Sequence, residues 1–127
     1  MIFSESLKKN QDFQSVYRAA DSKANRYLVL YRLDNGLSKN RIGISVSKKV
    51  GNSVVRHHMC RLIRESYRLN EKSIKPGYDL VVVVRPLAKG RSYREIESAL
   101  LHLMKLQDLY QELSSENQDE KDLNRND

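Results

Sequence analysis

Residues 80–84 read Leu-Val-Val-Val-Val, and no other stretch restricts the fold as tightly. A strand with one wet face alternates apolar and polar side chains. This one does not, so it must be covered on both faces and sit in the middle of a sheet. The chain therefore needs strands on either side of it and helices above and below. Its 127 residues suit one such domain and leave little room for two.

The flanking segments supply the layers. Lys8 to Ala20 reads as a short helix with Asn10 as its cap, and Phe13, Val16, Tyr17 and Ala20 share a face. Asp21 to Asn25 is a polar break. Arg26 to Leu33 reads as a strand that sorts Leu28 and Leu30 from Tyr27, Val29 and Tyr31. Asp34-Asn35-Gly36 is a turn signal. Arg41 to Ser47 is the next strand, with Ile42, Ile44 and Val46 on one face and Gly43, Ser45 and Ser47 on the other. A hairpin between these two strands is expected. A long helix runs from Ser53 to Leu69, and Asp79 to Arg85 is the central strand. Pro86 to Ser92 is a loop. A last helix runs from Tyr93 to Leu113, with Ser92 and Glu95 spaced as a capping box. The fold class is α/β (α+β), a single-domain sandwich of one sheet with packed helices, in the order α-β-β-α-β-α with room for a further strand.

No apolar run approaches the roughly 18 residues of a spanning helix. The opening MIFSESLKKN has no apolar stretch of signal-peptide length. One cysteine, Cys60, leaves no internal disulfide framework. A cytoplasmic protein without membrane contact is the simplest expectation.

Charge is unevenly spread. The net charge is +7, but residues 114–127 carry five acids against Lys121 and Arg125 and so contribute −3. That acidic segment lacks core residues and is expected to be disordered. Residues 1–113, read as one domain, carry 21 basic and 11 acidic residues, or +10. Such a body attracts a polyanion, with nucleic acid the first candidate; a solubility surplus is the plainer alternative.

Placement sharpens the point. On a wheel of about 100° per residue, Val55, Met59, Leu62, Ile63, Ser66 and Leu69 form one stripe of the long helix. His57, Arg61, Arg64 and Arg68 fall opposite, and Arg56 flanks the stripe. A solvated helix face ordinarily mixes signs, because like charges repel; here only Glu65 opposes the row. Arginine suits phosphate because its planar fork donates two hydrogen bonds at once. Lys48 and Lys49 precede the helix, then Gly51 and Asn52, where helix amides can face an anion. From Arg41 to Arg68 there are seven Lys or Arg residues and one acid. An accidental basic stripe is the bland reading of the same pattern.

The stretch RIGISVSKKVGNSVVRHHMCRLIRESYRLN resembles the signature region of the bacterial ribonuclease P protein subunit. LKKNQDFQSVYRAA, NRYLVLYRL, GYDLVVVVRP and SYREIESALLHLMK resemble the family's other blocks, in the same order. The resemblance covers about Leu7 to Leu113. It departs at one place. The family's helix usually carries Arg-Asn-Arg, whereas Arg56 is followed here by His57 and His58, and Cys60 stands where a basic residue is common.

The resemblance implies a ribosomal-protein-like α/β fold with an uncommon left-handed βαβ crossover. It implies a protein with no catalytic residue of its own, assisting a catalytic RNA that removes the 5′ leader from precursor tRNA. Catalytic Mg2+ would sit on that RNA, with no cofactor or metal held by the protein. Lys48, Lys49, Asn52, Arg56, His57, Arg61, Arg64 and Arg68 would meet the catalytic RNA. Phe13, Tyr17, Val29 and Tyr31 would line a cleft for the single-stranded leader. Stacking of bases on aromatic rings beside cations makes that cleft physically reasonable; read without the resemblance, Phe13 is a core aromatic, and Tyr17 and Tyr31 are open to either role.

Other chemistries fit less well. Among possible zinc ligands only His57 and Cys60 project near each other, and structural zinc takes four. A Cys–His nucleophile lacks an orienting third group. An autonomous two-metal nuclease wants converging carboxylates, but Glu65, Glu71, Asp79, Glu95 and Glu97 are scattered. A DNA-binding helix–turn–helix lacks a partner helix before Ser53. A ribosomal or RNA-chaperone protein remains the alternative.

Overall fold

The computed structural model describes residues 4–111. The elements, in chain order, are β1 (Ser4–Ser6), α1 (Asn10–Ala19), β2 (Ser22–Ala24), β3 (Leu28–Asp34), β4 (Asn40–Val46), α2 (Ser53–Asn70), β5 (Tyr78–Val84) and α3 (Tyr93–Leu106), with 3-10 turns at Glu71–Ser73 and Pro86–Ala88. The strands form one sheet in the order β1-β4-β5-β3-β2. β5 is its centre, parallel to β4 and antiparallel to β3. The mixed α/β sandwich is the architecture the valine run demands.

The expected hairpin between β3 and β4 does not form. β5 lies between them, pairing Val82 with Leu30 on one side and with Ile44 on the other. The turn signal at Asp34-Asn35-Gly36 is real but serves a loop. The Asn35 side chain accepts from the Leu37 amide at 2.8 Å and donates to the Lys39 carbonyl at 3.1 Å and to Asp79 at 3.1 Å. Two short strands were also hidden in polar sequence. β2 occupies part of the predicted break at Asp21–Asn25, and β1 pairs parallel with Asn40–Ile42.

β5 divides its side chains as a central strand should. Leu80, Val82 and Val84 face α2 and α3, together with Leu28, Leu30 and Ile42. Val81 and Val83 face α1, with Leu7, Val16, Phe13, Tyr17 and Tyr31. Burying each such aliphatic side chain contributes about 1.5–3 kcal/mol.

The β4–α2–β5 crossover is left-handed. The Leu7 amide donates to the Ile42 carbonyl at 2.7 Å, so the Ile42 backbone groups point toward β1. The Ile42 side chain points into the α2 layer. For an L-residue these two directions fix the sense. Seen from the helix side with β4 running up, β1 lies to the right and β5 to the left. The chain crosses in front through α2 and returns on the left, against the right-handed hand of about 98% of such units.

Three helix details differ from the pattern. Lys9, not Asn10, is the N-cap of α1, and no side chain caps it. The buried stripe of α2 is Met59, Ile63, Ser66 and Tyr67, while Leu69 is exposed. The apolar face is thus rotated toward Tyr67, whose hydroxyl is bonded by Ser4 at 2.7 Å and Asn40 at 3.1 Å. α3 ends at Leu106, short of Leu113. Asp108 takes a left-handed φ of 56°, and Leu109 turns into the core, where its carbonyl accepts from the Lys75 amide at 2.7 Å. The expected capping box of α3 is present, with Ser92 and Glu95 bonded reciprocally. The acidic segment from Ser114 lies outside the described residues. Among the described residues no helix is long and apolar enough to cross a membrane.

Candidate nucleic-acid interface

α2 begins where Asn52 caps it, accepting from the Val55 amide at 3.0 Å. Gly51 lets the approaching loop press against the first turn, because a Cβ there would lie 2.8 Å from Val55 Cγ1. Val50 anchors the loop in the core, and Lys48 and Lys49 are left exposed beside the helix start.

His57, His58, Arg61, Arg64 and Arg68 are all exposed, on the side away from Met59 and Ile63. Arg61 and Arg64 have no acidic partner among the described residues. Arg68 does: it forms an ion pair with Glu65, one turn earlier. Its guanidinium holds the Glu65 carboxyl below the usual range. The free positive charge of the face therefore lies in its first three turns. Arg56 is half-buried, and its Nε is enclosed with no hydrogen-bond partner. Cys60 is half-buried nearby. Burial pushes its thiol up while Arg64 pulls it down less strongly, so it is a poor nucleophile.

The second surface is on the other face of the sheet. Phe13 and Tyr17 lie one turn apart on α1, with ring centroids 6.4 Å apart. Tyr17 meets Tyr31 of β3 edge-on at 5.0 Å. Opposite them β4 presents its small residues. Gly43 lies under the Phe13 ring, and Ser45 continues that face. The result is a groove of about 450 Å3 between α1 and β4, with Lys8 and Asn10 at its mouth. Neither Tyr31 nor Val29 is among the groove's lining residues; Tyr31 backs the groove through its ring contact with Tyr17, and Val29 shares its face of β3. Tyr27 leaves the aromatic set. It precedes β3, packs on the α2–α3 side and lies under the Arg91 guanidinium at 5.3 Å.

The two surfaces meet at the edge of β4. β1 pairs only as far as Ile42, so among the described residues the strand beyond it has no neighbour on that side. Ile44 and Val46 line both the α1 groove and a smaller hollow beside Arg56 and His57. The groove therefore opens over this edge toward the start of the basic helix. The signal for this continuity was in the sequence, as the alternation of small and large residues in RIGISVS, but only the position of β1 reveals the open edge.

Among the described residues no three His, Cys, Asp or Glu side chains converge as metal ligands. The acids named as possible catalytic groups are held structurally. Asp79 is buried and gripped by Arg41 through two bonds of 2.8 and 2.6 Å. Glu97 accepts from Tyr93 at 2.9 Å and from Asn70 at 3.0 Å, and Glu95 serves the cap. The arrangement can bind and position a polyanion.

Known proteins bear on what that polyanion is. The family model described as Ribonuclease P matches residues 2–107. The ribonuclease P protein component of Lachnoclostridium phytofermentans is 61% identical over 103 residues, covering 81% of this chain and 89% of its own. That of Alkaliphilus metalliredigens is 58% identical over 99 residues, covering 78% and 89%. The Staphylococcus aureus RNase P protein structure superposes with a TM-score of 0.77 at 38% identity, over 83% of this chain and 96% of its own. The Thermotoga maritima protein gives 0.74 at 30% identity, over 80% and 96%. These matches do not favour the ribosomal or chaperone alternative. They span the groove, the open edge and the basic crossover helix alike, and the chain belongs to the ribonuclease P protein family, as a protein component of that enzyme.

Proposed function

We propose that the chain binds the catalytic RNA of ribonuclease P through the face of α2 and holds the 5′ leader of precursor tRNA in the α1–β4 groove. Lys48, Lys49, Arg56, Arg61 and Arg64 supply charge to phosphate. Asn52 and His57 supply polar contacts, and Arg68 contributes through a guanidinium shared with Glu65. Phe13, Tyr17 and Tyr31 supply ring edges and faces to unstacked leader bases, and Val29 extends their face of β3. The observation that carries this reading is the shared border at Ile44 and Val46, which joins the aromatic groove to the basic helix.

The protein donates no acid or base to the hydrolysis. The RNA supplies the catalytic groups and holds the Mg2+, and the protein raises substrate affinity. The site of action is the cytoplasm, where precursor tRNA is made.

Reconstitution with a bacterial ribonuclease P RNA at low magnesium tests the proposal. Addition of the chain is expected to raise cleavage of precursor tRNA, and the chain alone is expected to cleave nothing. Arg61→Ala with Arg64→Ala is expected to lower the salt dependence of RNA binding by about 0.7–0.9 per lost phosphate contact. No stimulation of cleavage would refute the assignment, and an unchanged salt slope would remove α2 from the interface.

A further inference from the structure

On the α2–α3 face of the sheet, a groove of about 450 Å3 separates the β2–β3 turn from the first half of α3. It shares no lining residue with the basic helix or the leader groove. Its lining includes Tyr27, whose ring carries the Arg91 guanidinium on one face, and Ala99, with Arg26, Arg94, Glu95 and His102 around them.

The chemistry of this groove is one-sided, and Asn25 makes it so. The Asn25 carbonyl oxygen accepts from the amides of Tyr27 at 3.2 Å and Leu28 at 3.0 Å. That fixes which end of the side-chain amide is which. Its NH2 group then donates to the Ala99 carbonyl at 2.9 Å and toward His102 Nδ1 at 3.4 Å. The His102 tautomer that accepts this bond at Nδ1 carries its N–H on Nε2. Arg26 and Arg94 are exposed and have no acidic partner among the described residues. The acid in the lining, Glu95, is already occupied, accepting from the Ser92 amide at 3.1 Å and lying 3.7 Å from Arg91. Three free donors, two of them cationic, thus surround Tyr27 and Ala99.

We propose that this groove is a second RNA-contact site, which seats one phosphate-bearing nucleotide of the partner RNA away from the basic helix and the leader groove. The phosphate lies between Arg26 and Arg94, where guanidinium forks donate in pairs. The ribose or base packs on Tyr27 and Ala99 and takes the His102 Nε2–H bond. The inference rests on the RNA-docking role proposed above and adds a separate place of contact.

The test measures binding of the full chain to ribonuclease P RNA across a salt series. Arg26→Ala with Arg94→Ala is expected to lower the slope of log Kd against log salt by about 0.7–0.9, the worth of the one phosphate held between them. Both side chains are exposed, so the variant is expected to melt like the parent. Lys72→Ala, an exposed charge on the 3-10 turn after α2, is expected to leave the slope unchanged. An unchanged slope in the Arg26/Arg94 variant, with a lowered slope in Arg61→Ala/Arg64→Ala, would overturn this site and leave the docking role standing. No change in either variant would overturn both. A drop in Lys72→Ala equal per charge would mark a diffuse field and overturn the site. Saturation of the Tyr27 and Ala99 NMR signals by uridine 5′-monophosphate, with an unchanged RNA slope, would assign the groove to a free nucleotide and also overturn the proposal.

Discussion

Gly43→Ala probes how the groove is built. A Cβ at position 43 would stand 2.5 Å from Phe13 Cζ, 2.8 Å from Phe13 Cε1 and 3.2 Å from Leu7 Cβ. Carbon atoms settle at about 3.5–4.0 Å, so roughly 1 Å must be found. Leu7 is buried and cannot provide it. Phe13 is half-buried at the groove and can, by swinging its ring outward. Overpacking costs about 1–3 kcal/mol, and an escape route to solvent puts this case near the lower end. Thermal melting is expected to fall by about 5 °C. Displacing the ring also removes a stacking platform, which is worth about 1–3 kcal/mol per base. Affinity for leader-bearing precursor is therefore expected to fall about tenfold in the reconstituted enzyme, with mature tRNA unaffected. Phe13→Ala supplies the control. If the ring is what the new methyl group meets, Gly43→Ala costs almost nothing in that background, and the double-mutant cycle shows strong coupling. Strictly additive losses, or an unchanged ratio of precursor to mature affinity, would refute the reasoning.

Two further perturbations address the scaffold. Arg41→Ala strands the buried Asp79 carboxylate and is expected to cost about 3 kcal/mol in denaturant unfolding, with much of that recovered by adding Asp79→Asn; a cost below the noise of the measurement would show that Asn35 and water suffice. Tyr67 is held above the usual phenol range by burial, against the pull of its bonds to Ser4 and Asn40. A raised acid contributes stability that is whole below its unfolded value, about pH 10, and is lost as pH climbs through the folded value. Tyr67→Phe is expected to flatten that alkaline decline and to cost about 1 kcal/mol at neutral pH; an alkaline profile identical to the parent's would place the titration elsewhere.

Much of this fold is legible in the chain because burial imposes period and run length. The valines of β5, the α2 row of arginines and the Ser92–Glu95 cap all announce themselves locally. What escapes is pairing. Asp34-Asn35-Gly36 signals a turn, and a turn between two strands reads as a hairpin until a later strand claims the space between them. β1 and β2 escape because Ser4-Glu5-Ser6 and Ser22-Lys23-Ala24 are too short and too polar to show an apolar alternation. The α2 stripe lies about 50° from where its aliphatic residues alone would centre it, because Tyr67 joins it, with Ser4 and Asn40 around its hydroxyl. The same kind of omission hid the shift of Tyr27, which lies outside the strand whose alternation was used to place it. The basic face itself was plain in the sequence, but the neutralisation of Arg68 by Glu65 is a matter of rotamers.

β4 is a strand whose two sides do unrelated jobs. Toward α2 it gives bulk, with Ile42, Ile44 and Val46; toward α1 it gives room, with Gly43 and Ser45. Those roles differ by a single step along the backbone. A one-residue insertion or deletion near Asn40 would exchange them, pushing isoleucines into the space of Phe13 and leaving a glycine-sized void beneath Met59 and Ile63. Core and groove would be lost in one event. Point substitutions can drift on either side of this strand independently, but its length is shared between them, so folding alone is enough to keep the groove in register.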